Sequence, residues 1–122
     1  MATKSGLNQA DWQEIKAELR HILIGVAKLG KTIFYSDLAK QVTYATIHHR
    51  APAFDHILQE LCADEVGENR PILGVVVVNK ATGRCGDGFY KWASAYGYDT
   101  HDPQAFWDAE FNRVLDYWQN TD

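Results

Sequence analysis

The stretch Gly30-Lys31-Thr32-Ile33-Phe34-Tyr35-Ser36-Asp37-Leu38-Ala39-Lys40-Gln41-Val42 constrains this chain more than any other part of it. It places a helix end, a short strand and a helix start in immediate succession, and amphipathic segments lie on both sides. Upstream, Asn8 or Asp11 can cap a helix through its side-chain oxygen. Trp12, Ile15, Leu19, Ile22, Leu23 and Val26 then recur at spacings of three and four, the pattern of a helix that buries one stripe. That helix is predicted to end around Lys28-Leu29-Gly30, with Gly30 as the left-handed cap. Thr32-Ile33-Phe34-Tyr35 is a short β-prone run, and Ser36 is placed to cap the next helix with Asp37 at its positive end.

Thr43-Tyr44-Ala45-Thr46-Ile47 reads as a turn or a β-like connection. The following helix is predicted to begin between Ile47 and Ala53, because Pro52 is tolerated only in a first turn. Phe54, Ile57, Leu58, Leu61 and Cys62 make its buried stripe. Breakers from Asp64 to Pro71 read as a solvated loop, and Ile72-Leu73-Gly74-Val75-Val76-Val77-Val78-Asn79 as a strand apolar on both faces. Lys80-Ala81-Thr82-Gly83-Arg84 turns the chain, and Gly86-Asp87-Gly88-Phe89-Tyr90 is expected to return as a second strand. Lys91 to Tyr96 reads as a short helix. Asp102 caps a last helix with Pro103 at its first position, carrying Phe106 or Trp107, Phe111, Val114, Leu115 and Trp118 on its stripe.

Helix, short strand, short helix, helix, hairpin is the order of a winged helix-turn-helix. The expected fold is therefore α+β and winged-helix-like, with a small antiparallel hairpin sheet and a C-terminal helix. A chain of 122 residues is one domain by size. Residues 1–122 are read as a single unit, with the winged-helix-like core at about 9–92 and a helical extension at about 93–122. No run approaches the roughly 20 apolar residues of a membrane helix, and Met1 to Gly6 has no apolar core of a secretory leader. Cys62 and Cys85 have no CxxC spacing, which reads as a buried small side chain and a loop thiol in a reducing cytoplasm.

Charge is distributed in blocks. Net charge is −4, which opposes strong nonspecific binding to a polyanion. Residues 28–50 nevertheless carry Lys28, Lys31, Lys40 and Arg50 against Asp37, and residues 70–91 carry Arg70, Lys80, Arg84 and Lys91 against Asp87. Residues 51–69 hold five acids and no Lys or Arg, while residues 92–122 hold six acids and only Arg113. The basic blocks coincide with the elements a winged helix turns toward DNA. The alternative is ordinary alternation of solvated charge.

Thr32-Ile33-Phe34-Tyr35-Ser36-Asp37-Leu38-Ala39 resembles the strand-and-helix segment of alkyltransferase-like winged helices, which read T-x-Y-x-x-[IL]-A. The resemblance implies a helix-turn-helix that binds DNA. It stops at the chemistry, because the family's reactive Pro-Cys-His-Arg segment, or its Pro-Trp-His-Arg variant, has no counterpart here. Cys85, with no adjacent His, is a poor alkyl acceptor. Pro71 to Tyr90 is similar to a strand and wing found in uncharacterised bacterial domains, and carries fold information only.

Tyr44, Thr46, His48, His49 and Arg50 lie where a winged helix begins its recognition helix, so they are candidates for phosphate or base-edge contacts. Lys80 and Arg84 would sit at the wing tip. His48, His49, Asp55, His56 and Glu60 form the densest group of possible acid-base residues, but no metal signature such as HExxH accompanies them. Gly83, Gly86 and Gly88 follow a hairpin turn rather than opening a helix, so tight-turn geometry accounts for them.

The leading expectation is a small non-catalytic DNA-binding module without cofactor or metal, acting as a dimer or with a partner protein. A second reading uses the aromatic, acidic C-terminal half as a protein-docking or homodimer surface. A third is a small hydrolase built on the His48 to Glu60 cluster.

Overall fold

The computed structural model describes residues 8–121. The stretch Met1 to Gly6, expected to hold no secretory leader, lies outside the described residues. Helix α1 (Gln9–Lys28) opens on Asn8, whose side chain accepts from the Asp11 amide at 2.8 Å while the Asp11 carboxylate accepts from the Asn8 amide. This reciprocal pair satisfies backbone donors that the helix itself leaves free. Ile15, Leu19, Leu23 and Ala27 are fully buried along it, and Trp12, Ile22 and Val26 pack on the same core from the margins. The chain leaves through Gly30 at φ +70°, which is why a glycine stands there.

Strand β1 (Ile33–Phe34) runs straight into α2 (Tyr35–Gln41). The expected Ser36 cap is not used: the helix starts two residues earlier, Phe34 occupies the capping position, and no side chain caps it. With no turn between strand and helix, Ser36 is already inside the first turn. Residues 43–51 are irregular, and α3 (Pro52–Gly67) begins with Pro52 in its first turn, as Pro requires. Phe54, Ile57, Leu58, Leu61 and Cys62 are buried, along with Glu65. The helix extends further than its breakers predict, because Glu65 is held inside the protein by Arg20 and Arg70.

The second half corrects the sequence reading in two places. The apolar run is almost wholly buried, yet Leu73–Val76 forms a 3-10 turn and only Val77–Val78 is strand, here β2. Gly74 lies against Cys62 of α3, so close that a Cβ would fall 2.5 Å from the thiol, and the run bends around α3 rather than extending. The expected antiparallel hairpin is absent among the described residues. β1 and β2 pair in parallel, Ile33 with Val77 and Phe34 with Val78, because two helices cross between them. Gly86 to Tyr90, expected as the returning strand, instead caps and opens α4 (Asp87–Ala95). As a helix it delivers Phe89 and Tyr90 against Phe106, at ring-centroid separations of 6.1 and 6.4 Å, which a strand pairing with β2 would not do.

Helix α5 (Pro103–Gln119) starts as predicted, with the Asp102 side chain accepting from the Ala105 amide and Pro103 in the first turn. Val114 and Trp118 are buried, and Glu110 is buried beside them, accepting from the Ile72 amide at 2.8 Å and from Arg113. Trp107 donates from its ring nitrogen to the Val75 carbonyl. The core is a helical layer in which α1 packs against α3, α5 and the 3-10 turn. The result is a mostly helical α+β domain with a minimal parallel sheet. Among the described residues no helix is long and apolar enough to cross a membrane.

Candidate functional site

A cleft of about 740 Å³ opens between α2, the N-terminal half of α3, and the segment that follows β2. Its walls come from five places in the chain. α2 contributes Tyr35 and Ser36, and the irregular connection before α3 contributes His49 and Arg50. α3 adds Asp55, Leu58, Gln59 and Cys62. The turn after β2 brings Asn79, Lys80 and Thr82, and α4 adds Phe89 and Trp92. The turn is closed by hydrogen bonds from the Asn79 amide to the Arg84 carbonyl and from the Gly83 amide to the Asn79 carbonyl, with Gly83 at φ +69°. It brings Lys80 to the cleft lining without needing a second strand.

Of the seven residues singled out from sequence, the structure gathers His49, Arg50 and Lys80 around this cleft. Tyr44 goes elsewhere: its hydroxyl donates to Asp11 at 2.7 Å and its amide to Glu18, which holds it against α1. Thr46 is exposed and outside the lining. His48 is also outside it, but stacks on His49 with ring centroids 4.5 Å apart. Arg84 is exposed and outside the lining.

The connection bearing His49 and Arg50 is tethered at its start. Glu18 of α1 accepts from the Thr43 amide and hydroxyl, both at 2.7 Å, and from the Tyr44 amide at 3.1 Å. These bonds hold the Glu18 carboxyl below its ordinary value of 4.5. A depressed carboxyl stabilises the folded tether above that value and ceases to do so as pH falls through its lowered one. Amide resonances of Thr43 and Tyr44 are therefore expected to shift together below about pH 4.5. In Glu18→Gln that titration should vanish and the same amides should lose protection at neutral pH. Unchanged amide behaviour in the variant would remove Glu18 as the tether.

Electrostatically the cleft is mixed. The rim carries Arg50 and Lys80. Partial burial, then His48, Arg50 and Lys40, push the His49 imidazole below its ordinary value, so it is mainly a neutral donor or acceptor at neutral pH. Inside, burial raises the Tyr35 hydroxyl and keeps it a neutral donor. Partial burial likewise raises the Asp55 carboxyl, against an opposing effect of His56. Asn79 and Gln59 add amide groups, and Leu58, Val77, Phe89 and Trp92 supply the apolar surface.

Nucleophile chemistry finds little support. Cys62 lines the cleft but is buried, and burial pushes its thiol up to about 12. Cys85, expected as a loop thiol, is also buried; its sulfur lies 3.2 Å from the Val77 carbonyl, and burial pushes it to about 12. Both stay protonated at neutral pH. The His48 to Glu60 cluster does not converge. His49 and Asp55 line the cleft, whereas Glu60 turns to α1, accepting from Trp12 at 2.6 Å and from Lys16 at 3.0 Å. His48 accepts from the Arg50 amide through its Nδ1. Among the described residues no group of three His, Cys, Asp or Glu side chains is placed to hold a metal ion.

Sequence reasoning did not select Tyr35, Asn79 or Trp92. Asn79 and Lys80 together end the long apolar run, and that was the available signal for the cleft edge. Trp92 carried none beyond its composition. Comparison of the chain with family models, with characterised proteins and with solved structures yields no significant match.

Proposed function

We propose that this domain is a non-catalytic nucleic-acid-binding module, a winged-helix-like arrangement whose wing is reduced to the Asn79–Arg84 turn. The observation that carries the reading is that Arg50 and Lys80, 30 residues apart in the chain, line one cleft together with His49. Cations collected from separate segments onto one rim are what a phosphate backbone requires, and they act locally despite the chain's net charge of −4. Polar groups inside the cleft supply hydrogen bonds of both signs.

Fluorescence anisotropy of labelled DNA across a salt series tests it. Affinity should fall steeply with salt, and Arg50→Ala or Lys80→Ala should each weaken binding and flatten the logarithmic salt slope by about one contact. Lys31→Ala, away from the cleft, is the control and should leave the slope unchanged. No binding at low salt would end the reading.

A further inference from the structure

We infer that the cleft takes a single-stranded polynucleotide, holding one unpaired base against Trp92 while the neighbouring phosphates meet Arg50 and Lys80. This rests on the nucleic-acid reading and narrows it to a class of ligand. Three observations carry it. First, α3, which would be the groove-reading helix of a duplex binder, lies in a stretch with five acids and no Lys or Arg between residues 51 and 69. Glu60 and Asp64 pair with Lys16 and Glu65 with Arg20 and Arg70, while Asp55 lines the cleft, so α3 itself offers no cation to the phosphates on either side of a duplex groove. The cations lie beside it, on the cleft rim.

Second, the apolar side of the cleft is aromatic. Trp92 lines it from α4, and its ring stacks on Tyr96 with centroids 4.5 Å apart and an interplanar angle of 27°. Tyr96 is 51 % exposed, so the stack continues out of the cleft to solvent. A ring pair of this kind is a platform for base faces, and base faces are free only where bases are unpaired. Third, Asn79 and Gln59 offer amide donors and acceptors within the same cleft, suited to a base edge and unnecessary for a phosphate alone. Cationic rim, aromatic wall and amide edge occur together in this cleft.

The test is anisotropy of the full chain with labelled single-stranded DNA, single-stranded RNA and duplex DNA of one sequence. Either single strand should bind about tenfold or more tightly than the duplex, with a shallower salt slope per contact. Trp92→Ala should weaken the single-strand complex by about tenfold or more, and Trp92→Phe, which keeps a ring, by much less. Tyr96→Ala, at an exposed position that does not threaten folding, should give a smaller loss on single strands and none on duplex. Duplex binding as tight as single-strand binding, with the aromatic variants silent on both, would overturn the inference while leaving a nucleic-acid module in place. Failure of all three probes to bind at low salt would overturn both.

Discussion

Glu65→Ala is expected to lower stability by about 3 kcal/mol, among the largest losses from any single substitution in this chain. Glu65 is fully buried, and its two oxygens receive a pair of arginines. Arg70 bonds both, Nε to Oε1 at 3.0 Å and Nη2 to Oε2 at 2.9 Å, while Arg20 approaches Oε2 through Nε at 3.0 Å. The carboxylate thereby joins α1, the end of α3 and the segment leading to the apolar run. Removing it leaves two like charges facing each other and a cavity in place of the side chain. Arg20 also lies over the Trp118 ring, 5.5 Å from its centroid, so the disturbance reaches α5. The arginine side chains keep partial access to water, at 38 and 24 % exposure, which sets the loss near the lower end for a broken buried pair. Urea unfolding followed by circular dichroism measures it: the midpoint should fall with the slope unchanged. A loss under about 1 kcal/mol would mean the cluster contributes no more than surface ion pairs do.

Gly74→Ala is expected to cost about 3 kcal/mol, and Cys62→Ala in the same molecule should recover most of it. A Cβ on residue 74 would lie 2.5 Å from the Cys62 sulfur, well inside contact distance. Neither side can yield easily: Gly74 sits in a buried 3-10 turn and Cys62 is buried on α3. The strain is steric and local, so removing the sulfur relieves it. A double-mutant cycle with strictly additive losses would show that the turn, and not the thiol, forbids a side chain at residue 74.

Much of the helical framework was legible in the sequence. The Asn8 cap, the Gly30 exit, Pro52 at the start of α3, and Asp102-Pro103 at the start of α5 all stand as local rules predict, because each depends on a few adjacent residues. The stripes of α1 and α3 were legible for a similar reason, since a helix repeats its buried face every three or four residues. Those features belong to the chain itself.

What tertiary structure decided is everything that depends on partners distant in sequence. Ile72 to Val78 has strand composition, but Gly74 packed on Cys62 bends most of it into a 3-10 turn. Gly86 to Tyr90 has the look of a returning strand, yet its rings find Phe106 on α5 and the segment coils into α4. Tyr44 looked free to contact a ligand until Asp11 and Glu18 claimed it, while Trp92 joins Arg50 and Lys80 in the cleft lining only because the segment folds as α4. Local sequence sets helix limits because capping and periodicity are short-range. The parallel sheet, the buried carboxylates and the cleft are fixed by long-range contacts that no window of neighbouring residues contains.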